Sequence, residues 1–110
     1  MYKQLLIITK QKINEELLNN FDYLIINDDI NNYSFNNYYQ INYNSEDINF
    51  DYLIIDKPLN NVLMEDNYII TNQYLESSID NYFIIGPYNK SNKTIDDQII
   101  DIIDYINGNI

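Results

Sequence analysis

Lys10 and Lys12 follow the first apolar run of this chain, just after Thr9, and Asp28 and Asp29 follow the second. At the start of a helix, two lysines together with free N–H groups and the helix dipole would hold an anion. An acid after the second strand is where a dinucleotide-binding sheet places its ribose contact. Each pair also has a plainer reading, as solvated lysines near a sheet edge and as a solvated turn. With no anion present, lysines at a helix start oppose the dipole by roughly 0.3–1 kcal/mol each. Asp96, Asp97, Asp101 and Asp104 are a second acidic set. Their spacing is helical and lacks the glycine-turned loop of a calcium site, so they read as the wet face of a helix.

The residue types that are missing exclude more. The 110 residues include no Cys, His, Trp, Ala or Arg. Disulfides, thiolate nucleophiles and Cys-based zinc sites are excluded, as are imidazole bases and every Ser-His-Asp or Cys-His arrangement. With 6 Lys against 17 Asp and Glu the net charge is -11, which repels DNA, RNA and anionic lipid. No run reaches the ~18 apolar residues that span a bilayer, and no signal peptide opens the chain. The expectation is a cytoplasmic protein with no nucleic-acid or membrane partner. A composition of 45% hydrophobic and 15% aromatic residues is that of a folded chain rather than a disordered acidic tail.

The elements that must position these residues are written as short apolar runs. Gln4–Thr9, Asp22–Asn27, Asp51–Asp56, Asn67–Asn72 and Asn81–Gly86 are Ile-rich and continuous, which reads as strands buried on both faces. Tyr38–Tyr43 alternates and fits a strand near an edge, within an Asn-rich stretch that reads as a polar loop plus that strand. Lys10–Asn20 reads as a helix with Ile13, Leu17 and Leu18 inward. A second helix has Ile95, Ile99, Ile102, Ile103 and Ile106 on one side, with Thr94 and Asp97 as its capping pair and Gly108 at its left-handed end. FDYLII occurs at both 21–26 and 50–55, either as a duplication or as shared strand grammar. The pattern predicts one α/β domain over 1–110 with a largely parallel sheet.

From Phe50 onward a resemblance appears. Lys57-Pro58 with Asn60, Asp66-Asn67-Tyr68-Ile69-Ile70-Thr71, Leu75-Glu76-Ser77-Ser78 and Tyr82-Phe83-Ile84-Ile85-Gly86 resemble the turn, hairpin, L-E-T-S step and last strand of the FAD domain in low-molecular-weight thioredoxin reductases. The resemblance implies a reduced Rossmann-like layered fold of the FAD/NAD(P)-binding-domain type. It also implies that any bound flavin or nucleotide would meet Thr9, Lys10, Lys12, Asp28, Gly86 and Pro87. The family's chemistry is missing: no glycine follows the first strand, Pro87 replaces the Asp after Gly86, and the NADPH domain with its Cys pair has no counterpart. Strand order and Asp56 also resemble a receiver domain, although the acidic pair that would cradle Mg²⁺ is absent.

These readings point to a non-catalytic acidic protein without a cofactor, acting through a protein partner or its own dimer. Tyr33, Tyr38, Tyr39 and Tyr43 are expected near an exposed patch. Residual FAD or nucleotide binding with a redox-accessory role is the alternative, and a receiver-like role or imitation of nucleic acid by an acidic inhibitor comes after it.

Overall fold

Isoleucine-rich runs do form the centre of the molecule. The computed structural model describes residues 1–27, 33–57 and 62–108. Its strands are β1 (Tyr2–Ile8), β2 (Tyr23–Ile26), β3 (Tyr33–Asn37), β4 (Gln40–Tyr43), β5 (Glu46–Ile55), β6 (Met64–Glu65), β7 (Tyr68–Ile69) and β8 (Tyr82–Ile84), followed by helix α1 (Ile95–Ile106). A six-stranded sheet has the order β2-β1-β5-β4-β3, with β8 also pairing β5, and β6 and β7 form a separate hairpin.

The two FDYLII segments lie on the two flanks of β1 in the same register. Leu5 pairs with Tyr23 and Tyr52, Leu6 with Leu24 and Leu53, Ile7 with Ile25 and Ile54, and Ile8 with Ile26 and Ile55. All of these pairings are parallel, and β8 adds Tyr82, Phe83 and Ile84 to the last rows through Leu53, Ile54 and Ile55. Neighbouring residues point to opposite faces of a strand, so matching hexapeptides supply matching rows on both faces. The repeat answers to that shared geometry. The copies differ in burial: Leu53 is fully buried, whereas Leu24 on the edge strand is only partly covered.

Pairing along β5 changes midway. Its first half pairs antiparallel with β4, through Ile41–Ile48 and Gln40–Asn49, and its last residues pair parallel with β8. Ile48 and Phe50 pack into the same cluster as Leu53 and Ile55, so the inward set shifts from even to odd positions at this fork. Phe21 and Phe50 open identical hexapeptides yet belong to opposite core clusters.

The expected Rossmann-like, FAD-domain-like layered α/β fold is overturned. Strands predominate, the sheet is mixed, and α1 is the one α-helix among the described residues. The physical reason lies in the connections, whose described residues do not wind into the helices that cover both faces of such a sheet. Between β1 and β2 only Glu15–Leu18 coils, as a 3-10 turn, in place of the helix expected over Lys10–Asn20. Side-chain oxygens compete for the backbone there: Asn14 accepts from the Glu16 N–H, Thr9 from the Gln11 N–H and Asp96 from the Asn14 N–H. One face of the sheet is therefore covered by α1 and this turn, with Leu18, Ile99 and Ile102 buried against Leu5, Ile7, Ile54 and Phe83. The other face is covered by Ile69 of the small hairpin and by aromatic side chains including Tyr33, Phe35 and Tyr82.

Two strand expectations also change. The run Asn67–Asn72 shrinks to the two residues of β7, outside the main sheet. The Asn-rich stretch forms two strands rather than a polar loop plus one, with β4 near the edge as expected and β3 as the edge itself. α1 matches the sequence pattern, with the Thr94 hydroxyl accepting from the Asp97 N–H at 3.2 Å and Gly108 at φ +70° beyond its end.

Leu53→Ala removes a fully buried side chain and is expected to cost about 2–5 kcal/mol in urea unfolding. Leu24→Ala, in the same hexapeptide, should cost less than half as much. Equal losses would contradict the unequal burial of the two flanks.

Candidate functional site

Strands β1, β5 and β8 run parallel, and their carboxyl ends bring Thr9, Asp56 and Gly86 to one end of the sheet. The buried polar residues among those described are Thr9, Asp56, Asn89 and Gln98, and all four gather here. The Thr9 hydroxyl donates to Asp56 Oδ2 at 2.6 Å, and the Lys10 N–H donates to the same oxygen at 3.3 Å. The Gln98 side chain, on α1, accepts from the Gly86 N–H at 3.0 Å and from Asn89 Nδ2 at 2.9 Å. Gln98 also donates to the Lys93 carbonyl, and Asn89 to the Ile84 carbonyl.

Gly86 links the two halves of this cluster. Its φ of +80° favours a residue without Cβ, and an added Cβ would sit 3.4 Å from Asp56 Cβ. Every buried side-chain nitrogen and oxygen among the described residues has a partner. Chemically the arrangement ties the end of β1 to the end of β5 and α1 to the turn after β8, with Gly86 packed against Asp56 between them. Burying polar groups is costly unless they are bonded to one another, and here they are.

The sequence-predicted residues meet different fates. Thr9 is buried within the cluster, and Lys10 contributes its backbone N–H while its side chain is exposed. Lys12 is exposed. The α-helix start at which both lysines were expected to hold an anion is not formed, and Glu15 and Glu16 begin the short turn instead. The N–H that would face such an anion is directed at the chain's own Asp56. Gly86 and Pro87 lie in a second 3-10 turn, Gly86–Tyr88, with Pro87 exposed. Asp28 and Asp29 lie outside the described residues, as do Pro58 and Asn60 of the resembled turn. Among the described residues no group of acidic side chains is placed to hold a metal ion.

Gln98 and Asn89 were missed. Gln98 carried a readable signal, since it falls three residues after Ile95 and one before Ile99, inside the apolar stripe of α1. A polar residue there must find a buried partner. Asn89 gave no comparable signal.

A second polar hub holds the loop before β8. Glu76 accepts from Tyr105 Oη at 3.0 Å, from the Asn81 N–H at 2.9 Å and from Asn72 Nδ2 at 3.3 Å. It fixes a loop in which Leu75 and Asn81 have φ values of +67° and +68°. The tyrosines divide. Tyr38 and Tyr39 are exposed at the β3–β4 turn, as expected, whereas Tyr33 and Tyr43 are partly buried against the core. Tyr82 is buried and its hydroxyl donates to the Tyr38 carbonyl.

Several phenols are shifted upward. Burial, followed by the nearby Tyr39 and Tyr38, raises Tyr82, and burial, followed by Asp56, raises Tyr33. Hydrogen bonds to carboxylates raise Tyr2 through Asp51, Tyr23 through Glu15 and Tyr105 through Glu76.

A shallow groove of about 210 Å³ runs beside β6 and β7, lined by Glu65, Tyr68, Ile69, Ile70, Thr71 and Lys90. No helix among the described residues is long and apolar enough to cross a membrane. No family model, curated protein or solved structure matches the chain. The likeness to reductase FAD domains thus rests on the quoted residues alone, and the fold stands against it.

Asp56→Ala leaves the Thr9 hydroxyl and the Lys10 N–H without their acceptor, and a cost of roughly 1–3 kcal/mol is expected by urea unfolding. Asp56→Asn keeps an acceptor oxygen and should lose less. The shifted tyrosines predict alkaline sensitivity. Their folded pKa values lie above the ordinary 10.0, so the fold favours the neutral phenol. That contribution is complete below pH 10 and is lost as pH rises through the folded values. Melting temperature should fall above about pH 10, with tyrosinate absorbance appearing later in the folded than in the unfolded chain. Coincident titrations would contradict the assignment.

Proposed function

We propose that this protein is a non-catalytic binding protein that acts through contact with another protein. The observation that carries the reading is where its large exposed apolar side chains fall. Leu63, Met64, Tyr68 and Ile70 cluster on and beside the β6–β7 hairpin, and Met1, Tyr2, Tyr38 and Tyr39 lie near the β3–β4 turn and the chain start. Contiguous exposed apolar surface marks interaction sites more often than scattered single residues do.

The polar groups at the strand ends are engaged with one another, and the chain carries neither His nor Cys for acid–base or thiol chemistry. A net charge of -11 sets the kind of partner, because it speeds association with basic surfaces and slows approach to acidic ones. The cytoplasmic setting belongs to the same proposal, supported by a composition without disulfide-forming residues.

The test is isolation of the native complex at low salt, followed by reconstitution from purified components. A stoichiometric complex with a basic protein, weakening as salt rises, is expected. FAD, FMN and ADP should leave the melting temperature unchanged, since a ligand at about 100 times its Kd would add about 2.7 kcal/mol. A chain that reconstitutes with no protein, or that is stabilised by one of these nucleotides, would overturn the reading.

A further inference from the structure

The β6–β7 hairpin has more apolar surface than its position in the fold uses. Its turn, Asp66–Asn67, adopts left-handed φ values of +51° and +69°, which suit a tight two-residue connection. Ile69 alone of its strand residues is buried, packing into the core cluster. Leu63, Met64, Tyr68 and Ile70 remain 62%, 45%, 38% and 44% exposed. A hairpin this short is not stable alone. Ile69 anchors it, aided by the Leu63 N–H to Ser78 Oγ, while the Ile70 N–H to the Leu63 carbonyl extends the hairpin's own ladder. The exposed side chains are therefore displayed on an anchored support.

The groove against this hairpin, about 210 Å³, is smaller than the roughly 300–1,000 Å³ typical of small-molecule pockets. It is of a size to take a side chain rather than a cofactor. Its wall combines Tyr68, Ile69, Ile70 and Thr71 with one acid, Glu65, and one cation, Lys90, and Asp66 stands next along the chain at the turn, beyond the lining. Lys90 lies over the Tyr68 ring, 5.7 Å from its centroid.

Charge selects the occupant. A second copy of the chain brings another -11 and is repelled, and nucleic acid or anionic lipid is repelled for the same reason. A basic segment is attracted. Resting on the protein-binding reading above, we propose that the β6–β7 groove binds a basic segment of a partner protein and seats one apolar side chain from it between Tyr68 and Ile70, with Glu65 and Asp66 meeting the flanking cations.

Short synthetic lysine-rich peptides with a central Leu, or with Gly in its place, provide the probe. Amide chemical-shift mapping on the full chain should place the Leu peptide at Tyr68–Thr71 and Lys90. Seating the side chain should be worth about tenfold in affinity over the Gly peptide. Ile70→Ser and, separately, Tyr68→Ser should each weaken Leu-peptide binding by about tenfold or more while leaving the other amide shifts folded. The two exposed positions guard against a variant that fails to fold.

Shifts centred at Tyr38–Tyr39, or no preference for the Leu peptide, would overturn the groove assignment while leaving protein binding intact. Concentration-dependent dimerisation abolished by Ile70→Ser would replace the basic partner with a second copy. Reconstitution with a basic protein that does not disturb the groove would sink this inference alone, and failure to reconstitute with any protein would sink the wider reading.

Discussion

Parallel pairing of β1 with identical sequence on both flanks is the constraint from which the rest of the structure follows. Leu6 and Ile8 meet Leu and Ile on either side and contribute to one face, while Leu5 and Ile7 meet Tyr and Ile on either side and contribute to the other. A slip of one residue on either flank would exchange that strand's side chains between the two core clusters and spoil the packing on both faces. Once those rows are set, the ends of β1, β5 and β8 are fixed relative to one another. Thr9, Asp56 and Gly86 can then meet. The buried hydrogen bonds there depend on the register, and they in turn fasten α1 through Gln98.

That fastening shapes the functional reading. In an open parallel sheet the carboxyl ends of the strands usually receive ligands, helped by glycine turns and helix starts with free N–H groups. Here the Lys10 N–H bonds Asp56, and the Gly86 N–H bonds Gln98. The region is occupied by the protein's own side chains. The proposal of protein binding accordingly draws on the exposed surface, where apolar side chains and a large negative charge lie outside the core.

Much of the secondary structure was legible, and the reasons for the failures are specific. α1 could be read because its isoleucines repeat with helical spacing and Thr94 and Gly108 mark its ends. Lys10–Asn20 carries a similar but shorter apolar pattern, yet Thr9, Asn14 and Asp96 divert its N–H groups and only a 3-10 turn remains. The fold class is not legible in these runs, because continuous apolar strands signal burial on both faces without stating what does the burying. Helix α1 covers one side, and on the other the cover is a hairpin and a set of aromatic rings. Of the candidate site, Thr9 and Gly86 were visible as strand-end residues. Their bonding partners come from remote segments, and spacing along the chain does not encode such a meeting.

The twin hexapeptides also bear on how the chain reaches this arrangement. Either copy offers β1 the same rows, so side-chain identity alone does not tell the nascent strand which flank should receive which segment. Distance along the chain breaks the tie: the first copy closes a much shorter loop, at a smaller entropic cost, and emerges ahead of the second. Order of emergence from the ribosome thus supplies information that the hexapeptide itself lacks, and a circularly permuted chain that presents the second copy first would begin folding without that guide.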